Sequence, residues 1–166
     1  MPRTDVGQNP HPGHLIRRLQ QISVAIFIDE TAGFDITPVQ YASLLAVQRN
    51  PGIDQASLMR LVALDRTSIG EVVVRLEKKG LIKRANGQTD RRMRVLTITA
   101  AGRSLLTKLE SAVETAQATI LKPLTAPQRR LFVKCLKVLV DEQNERSRAP
   151  VQPYRSRAPA DPQIKG

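Results

Sequence analysis

Between Asp65 and Arg94 the chain carries nine basic residues, at 66, 75, 78, 79, 83, 84, 91, 92 and 94, against four acidic ones at 65, 71, 77 and 90. A cluster of that density suits the neutralisation of phosphates on a polyanion. Two subsets stand out within it. Arg66, Thr67, Ser68 and Arg75 combine guanidinium and hydroxyl groups, the donors and acceptors that base edges in a nucleic-acid groove can meet. Arg91, Arg92 and Arg94 follow as a second, almost purely cationic group. Competing chemistries find little support. His11 and His14 lie three apart with no cysteine or carboxylate cluster beside them, so no metal site is expected. Phosphate-binding glycine loops, Gly-x-Ser-x-Gly and His-Glu-x-x-His are all absent, which argues against an enzyme and against a bound cofactor.

The elements that must position these groups can be read from periodicity. Ile69, Val72, Val73 and Leu76 recur at i, i+3, i+4 and i+7, predicting a helix from about Asp65 to Lys79 with one buried stripe. Arg66, Thr67, Gly70, Glu71, Val74, Arg75 and Lys78 are then left outward or on the flanks. A solvated helix face is the alternative reading of that helix alone. A shorter helix, capped by Asp54 and packing Leu58, Leu61 and Val62 inward, precedes it. After Lys79-Gly80, a C-cap, Leu81–Ala85 reads as a strand, Asn86-Gly87 as a tight turn, and Asp90–Thr99 as the returning strand. The order helix, turn, helix, basic hairpin is that of a winged helix-turn-helix.

Leu81-Ile82-Lys83-Arg84, then Asp90-Arg91-Arg92, then Leu96-Thr97-Ile98-Thr99-Ala100-Ala101-Gly102 resembles the wing of the MarR family of bacterial transcriptional regulators, and the resemblance extends over roughly residues 13 to 146. It implies that Arg92 takes the place of the arginine that enters the minor groove. Arg91 stands where proline is commoner in the family, adding a cation at the wing tip. The implied architecture is mainly α with a small β-hairpin wing, flanked by N- and C-terminal dimerisation helices.

Length and composition fit that expectation. The chain has 166 residues, 41% hydrophobic content, a single cysteine and a formal net charge of +11. There is no apolar run long enough to cross a membrane and no secretory signal pattern, so a cytoplasmic protein is expected. One cysteine builds no disulfide framework within a chain. Cys135 falls on the apolar stripe of the last helix, where it reads as a buried packing residue rather than a sensor. Residues 1–13 and 147–166 are rich in proline, and the latter carry Arg148, Arg155, Arg157 and Lys165 against Asp161. They read as a flexible arm and a disordered basic tail, with a second phosphate-binding arm as the alternative for the tail.

Residues 37–99 thus form the expected DNA-binding lobe. Residues 14–36 and 100–146 form the expected dimerisation helices. The first helix carries Leu15, Ile16, Leu19, Ile22, Ile26 and Phe27, apolar over more than one face, and so needs cover beyond one small domain. Thr37 and Pro38 start the second helix. Ala100 to about Leu121 carries Leu105, Leu109, Ala112, Ala116 and Ile120 on one face, and Thr125 to Gln128 forms a capping box for a last helix bearing Leu131, Cys135, Val138 and Leu139. In the family, the first and last helices of two subunits interleave, which implies a two-fold homodimer on an inverted-repeat operator. The resemblance also implies a small aromatic anionic effector where these helices meet the lobe. His14, Arg17 and Arg18 would clamp its carboxylate and Tyr41 would cover its ring, although paired arginines at a helix start equally suit solvated charges or intersubunit ion pairs. The reading is a repressor released by an aromatic acid or its coenzyme A thioester, of the kind that answers nicotinate derivatives or hydroxycinnamates. A non-specific, nucleoid-type nucleic-acid-binding protein is the alternative.

Overall fold

A computed structural model describes residues 11–86 and 94–154 of the chain. In order, the elements are α1 (Pro12–Glu30), α2 (Pro38–Arg49), β1 (Ile53–Asp54), α3 (Gln55–Leu61), α4 (Arg66–Lys78), β2 (Ile82–Asn86), β3 (Arg94–Ile98), α5 (Ala100–Leu121), α6 (Ala126–Glu142) and a single 3-10 turn (Asn144–Arg146). The mainly helical architecture with a small wing is as expected.

Most helix starts are set by local chemistry. Thr37 Oγ1 accepts from the Gln40 amide at 3.3 Å while the Gln40 carboxamide accepts from the Thr37 amide at 3.5 Å, with Pro38 in the first turn. Asp54 and Asp65 each cap their helix by accepting from a serine amide three residues on, at 2.9 and 2.8 Å. Thr99 accepts from the Gly102 amide at 3.0 Å and donates back to the Gly80 carbonyl at 2.7 Å, which ties the start of α5 to the end of α4. In α6, the Gln128 carboxamide accepts from both the amide and the hydroxyl of Thr125 at 2.9 Å.

The core lies in the lobe. Leu44, Val47, Ile53, Leu58, Val73, Leu76 and Leu109 are completely buried, and each aliphatic side chain taken out of water contributes about 1.5–3 kcal/mol. A two-residue strand, β1, pairs with β3 through Ile53 opposite Leu96, making a three-stranded antiparallel sheet in the order β1-β3-β2. The sequence pattern shows only a hairpin. Two residues are too few for a visible alternation, so this pairing is a tertiary outcome. β2 meets β3 with Ile82 opposite Ile98 and Arg84 opposite Leu96, so the apolar ends face inward. Gly102 lies in the tightest contact: a Cβ there would collide with the Leu81 carbonyl oxygen and come within 2.8 Å of Ile98 Cγ1. The wing strand and α5 can approach so closely only because that residue has no side chain.

The other end of the molecule is different. α1 packs along α5, but Phe27 is its only buried residue, and Leu15, Ile16, Ile22 and Ile28 stay exposed. No residue of α6 is buried, and Leu131, Val133, Val138, Leu139 and Val140 are open to solvent in the single chain. Cys135 is exposed too, against the expectation of a buried packing residue, because nothing among the described residues covers that face. Both expected mobile ends begin at different places from those read in the sequence. α1 already starts at Pro12, and residues 147–154, read as disordered tail, are folded back onto α3, where the Gln152 amide donates to the Arg60 carbonyl at 3.2 Å. The remainder of both ends lies outside the described residues. Among the described residues no helix is long and apolar enough to cross a membrane.

Candidate nucleic-acid interface

α4 presents two unlike faces. Ile69, Val73 and Leu76 are buried and Val72 is packed against the core, while Arg66, Thr67, Glu71, Val74, Arg75 and Lys78 are exposed. The helix is held at a fixed angle by α3 and by the turn between them, where Ala63 adopts a left-handed φ of 54°. Its start is polarised by the cap. The Ser68 amide and then its hydroxyl donate to Asp65, and these hydrogen bonds hold the Asp65 carboxyl below the ordinary aspartate range. Asp54 caps α3 with the same pattern. Burial pushes its pKa up, but the Ser57 hydroxyl, the Ser57 and Ala56 amides and the nearby Arg60 charge together outweigh burial, and the net shift is downward.

The four residues expected on this helix are brought onto one surface, but they are not equivalent. Arg66 and Thr67 are exposed on the first turn. Ser68 is half-buried and donates its hydroxyl to Asp65 Oδ2 at 2.8 Å, which makes it first a capping residue. Arg75 is exposed and shares an ion pair of 3.4 Å with Glu71 one turn back, a solvated pair that a phosphate can outcompete. Arg94, at the start of β3, is exposed, whereas Arg91 and Arg92 lie outside the described residues.

Two cations counted in the basic cluster have structural partners. Lys79 binds the Asp35 carboxylate at 2.9 Å, the Asp35 carbonyl and the Gln40 carboxamide, pinning the end of α4 to the start of α2. Arg84 Nε lies 3.1 Å from Glu77, joining β2 to α4. These pairings cross elements and leave no local sequence signal. Arg66, Lys78, Lys83 and Arg94 make no ion pair with another described residue. Arg60 carries no motif of its own in the sequence; the cue to its role is its place one turn after Ser57, whose hydroxyl it meets at 3.1 Å.

The expected effector residues do not converge within one chain. Tyr41 is half-buried with its ring 5.8 Å from that of Phe27. His14 stands thirteen positions before Phe27 on the same helix, about 20 Å away at 1.5 Å per residue. Arg17 and Arg18 are exposed on the intervening turns, Arg17 donating to Gln21 at 3.4 Å. No group of three metal-ligating side chains occurs among the described residues.

Comparison with known proteins settles the lineage. The MarR family pattern matches residues 34–93, which include α3, the turn and α4. The PcaV transcriptional regulator from Streptomyces coelicolor, solved with its natural ligand, is 33% identical and superposes with a TM-score of 0.74, over 85% of this chain and 98% of that one. This chain belongs to the MarR family of transcriptional regulators. The transcriptional regulator HosA of Escherichia coli O157:H7 is 28% identical over 128 residues, covering 77% of this chain and 93% of that protein. BpsR of Bordetella bronchiseptica, whose DNA binding is regulated by 6-hydroxynicotinic acid, is 25% identical, with a TM-score of 0.76 over 82% of this chain and 98% of that one. As a family member the chain is a DNA-binding transcriptional regulator with a winged helix.

Proposed function

We propose that this regulator is a homodimeric repressor that reads an inverted-repeat operator with α4 in the major groove and the wing in the adjacent minor groove. The observation that carries the reading is the two-faced α4: one stripe is locked in the core, and the opposite one offers Arg66, Thr67 and Arg75 to a partner. Arg92 of the wing is assigned the minor groove, with Arg91 and Arg94 on phosphates. Dimerisation is supported by α6, which buries nothing in its own chain, and by the exposed leucine and isoleucines of α1. Two heads related by a two-fold axis place the half-sites about 10–10.5 bp apart on one face of the duplex.

The proposed effector is a small aromatic acid or its coenzyme A thioester. BpsR, a relative answering to 6-hydroxynicotinic acid, supports that class. His14, Arg17 and Arg18 supply the cations and Tyr41 the ring contact, brought together between the two subunits of the dimer, since they do not converge within one chain. Release requires that the acid bind the DNA-incompetent spacing of the heads better than the competent one. By linkage, DNA then weakens acid binding by the same factor.

The test starts from a 30-bp duplex selected by the full-length protein from a random pool. A selected inverted repeat that survives scrambled competitor, and loses affinity with Arg92→Ala, is the expected result. Equal binding to scrambled DNA would instead reveal a nucleoid-type protein. In the same assay a panel of aromatic acids and their thioesters is titrated against the complex. Arg17→Ala and Arg18→Ala are expected to keep DNA binding and lose release.

A further inference from the structure

After α6 the chain does not trail away. Asn144 clamps Val151 from its side chain, Oδ1 accepting from the Val151 amide at 2.8 Å and Nδ2 donating to the Val151 carbonyl at 3.1 Å. The next residue, Gln152, donates its amide to the Arg60 carbonyl in the last turn of α3, satisfying one of the acceptors that a helix end leaves open. Tyr154 packs against the lobe core. Pro150 and Pro153 restrict the backbone between these anchors, which lowers the entropy lost on docking. Residues 147–154 are thus a strap laid across α3 beside the first turn of α4.

The strap closes one wall of a cleft of about 290 Å³ that opens to solvent. Met59, Leu64 and Pro150 give it an apolar floor, and three guanidinium side chains line it: Arg60 from α3, Arg66 from α4 and Arg148 from the strap. None of the three forms an ion pair with another described residue; Arg60 donates to Ser57 Oγ at 3.1 Å and lies near the Asp54 carboxylate that the same hydroxyl serves. The one carboxylate on the lining, Asp65, is engaged by the amide and hydroxyl of Ser68. Among the described residues no aromatic ring lines the cleft to stack on a planar acid. Three guanidiniums against one carboxylate leave the lining of this solvent-open cleft net positive, a charge that a bound anion would offset. Arg66 belongs both to this cleft and to the exposed face of α4, so the two surfaces are continuous.

We propose that the docked C-terminal strap is a DNA-contacting element, in which Arg148 completes with Arg60 and Arg66 a seat for one backbone phosphodiester flanking the half-site read by α4. The inference rests on the DNA-reading proposal above. A phosphate contact fixes register without reading sequence, so the strap raises affinity alike for all sequences. Arg–phosphate contacts gain from the forked geometry of guanidinium, which a point charge lacks.

The experiment uses the full-length protein with two duplexes, the 30-bp sequence selected from the random pool and its scrambled version. Arg148→Ala is expected to weaken binding to both by the same factor and to lower the slope of log K against log salt by about 0.9 per reading head. Asn144→Ala, which unclamps the strap but keeps its charge, is expected to reproduce that loss. Lys108→Ala on α5, an equal change in net charge away from the cleft, is expected to leave the slope unchanged, and Arg148→Lys to preserve the slope with weaker binding. Circular dichroism melting of each variant checks that the lobe is intact. If Arg148→Ala leaves affinity and slope as in the wild type, or if undocking the strap tightens binding, the proposal is overturned, the second outcome marking the strap as an obstruction. If the pool yields no selected duplex at all, the reading of α4 fails first. A change seen only in aromatic-acid release, with DNA affinity unchanged, would place the cleft with the effector and overturn the phosphate assignment.

Discussion

α4 and α6 are helices of 13 and 17 residues, and each carries an apolar stripe at helical spacing, yet α4 buries Ile69, Val73 and Leu76 within the chain and α6 buries nothing. The difference teaches that such a stripe announces a partner surface without saying whose it is. For α4 the partner is the sheet and the preceding helices, close in sequence. For α6 no described residue of the chain supplies the cover; in the proposed dimer a second copy does, and the exposed face of α1 is the matching deficit.

The largest effect that can break this comparison is a cavity. Leu76→Ala is expected to cost about 2–5 kcal/mol in urea unfolding, since the side chain is fully enclosed. Leu139→Ala, at a residue 49% exposed in the single chain, is expected to change stability mainly through its dependence on protein concentration. Sedimentation of Leu139→Glu should show a shift towards monomer with helix content retained. A monomer–dimer balance unmoved by that charge would mean that α6 is not the interface.

Gly102→Ala sharpens the contrast from the lobe side. The added methyl meets the Leu81 carbonyl and Ile98, so about 1–3 kcal/mol should be lost in thermal or urea unfolding. An unchanged melting temperature would show that β2 and α5 are less tightly joined than their geometry indicates.

The two aspartate caps give a smaller effect with a pH signature. Asp54→Ala should cost about 1 kcal/mol at neutral pH, and Asp65→Ala, at a fully exposed cap, should destabilise in the same direction. Both carboxyls are held below their ordinary value of 3.8, so the stabilisation is fully present above that value and is lost as pH falls through the lower folded-state pKa. Wild type and variants should therefore converge in strong acid, and a gap that persisted once both carboxyls are protonated would assign the cost to something other than the carboxylate. The smallest change is a gain: Ala63→Gly removes a left-handed alanine from the turn between α3 and α4 and should add about 0.5 kcal/mol, glycine's greater freedom when unfolded offsetting part of the relief.

Much of the lobe was legible in the chain because it is encoded locally. Asp54 and Asp65 cap helices through serines three residues on, Thr37 and Thr99 do the same, and the stripe through Ile69, Val73 and Leu76 needs only the 3.6-residue period. These interactions involve neighbours in sequence, so residue type and spacing suffice. The exposed face carrying Arg66, Thr67 and Arg75 follows by subtraction.

What the tertiary structure alone decided lies in contacts between different elements, most of them far apart in the chain. The pairing of Ile53 with Leu96, the capture of Lys79 by Asp35 and of Arg84 by Glu77, and the docking of Gln152 on Arg60 have no period and no motif. They separated the cations left for a partner from those that hold elements together, and they turned a proline-rich end into a strap. A sequence lists the charges; only the folded distances determine which of them neutralise one another, because the strength of a charge pair depends on its separation and its exposure to solvent.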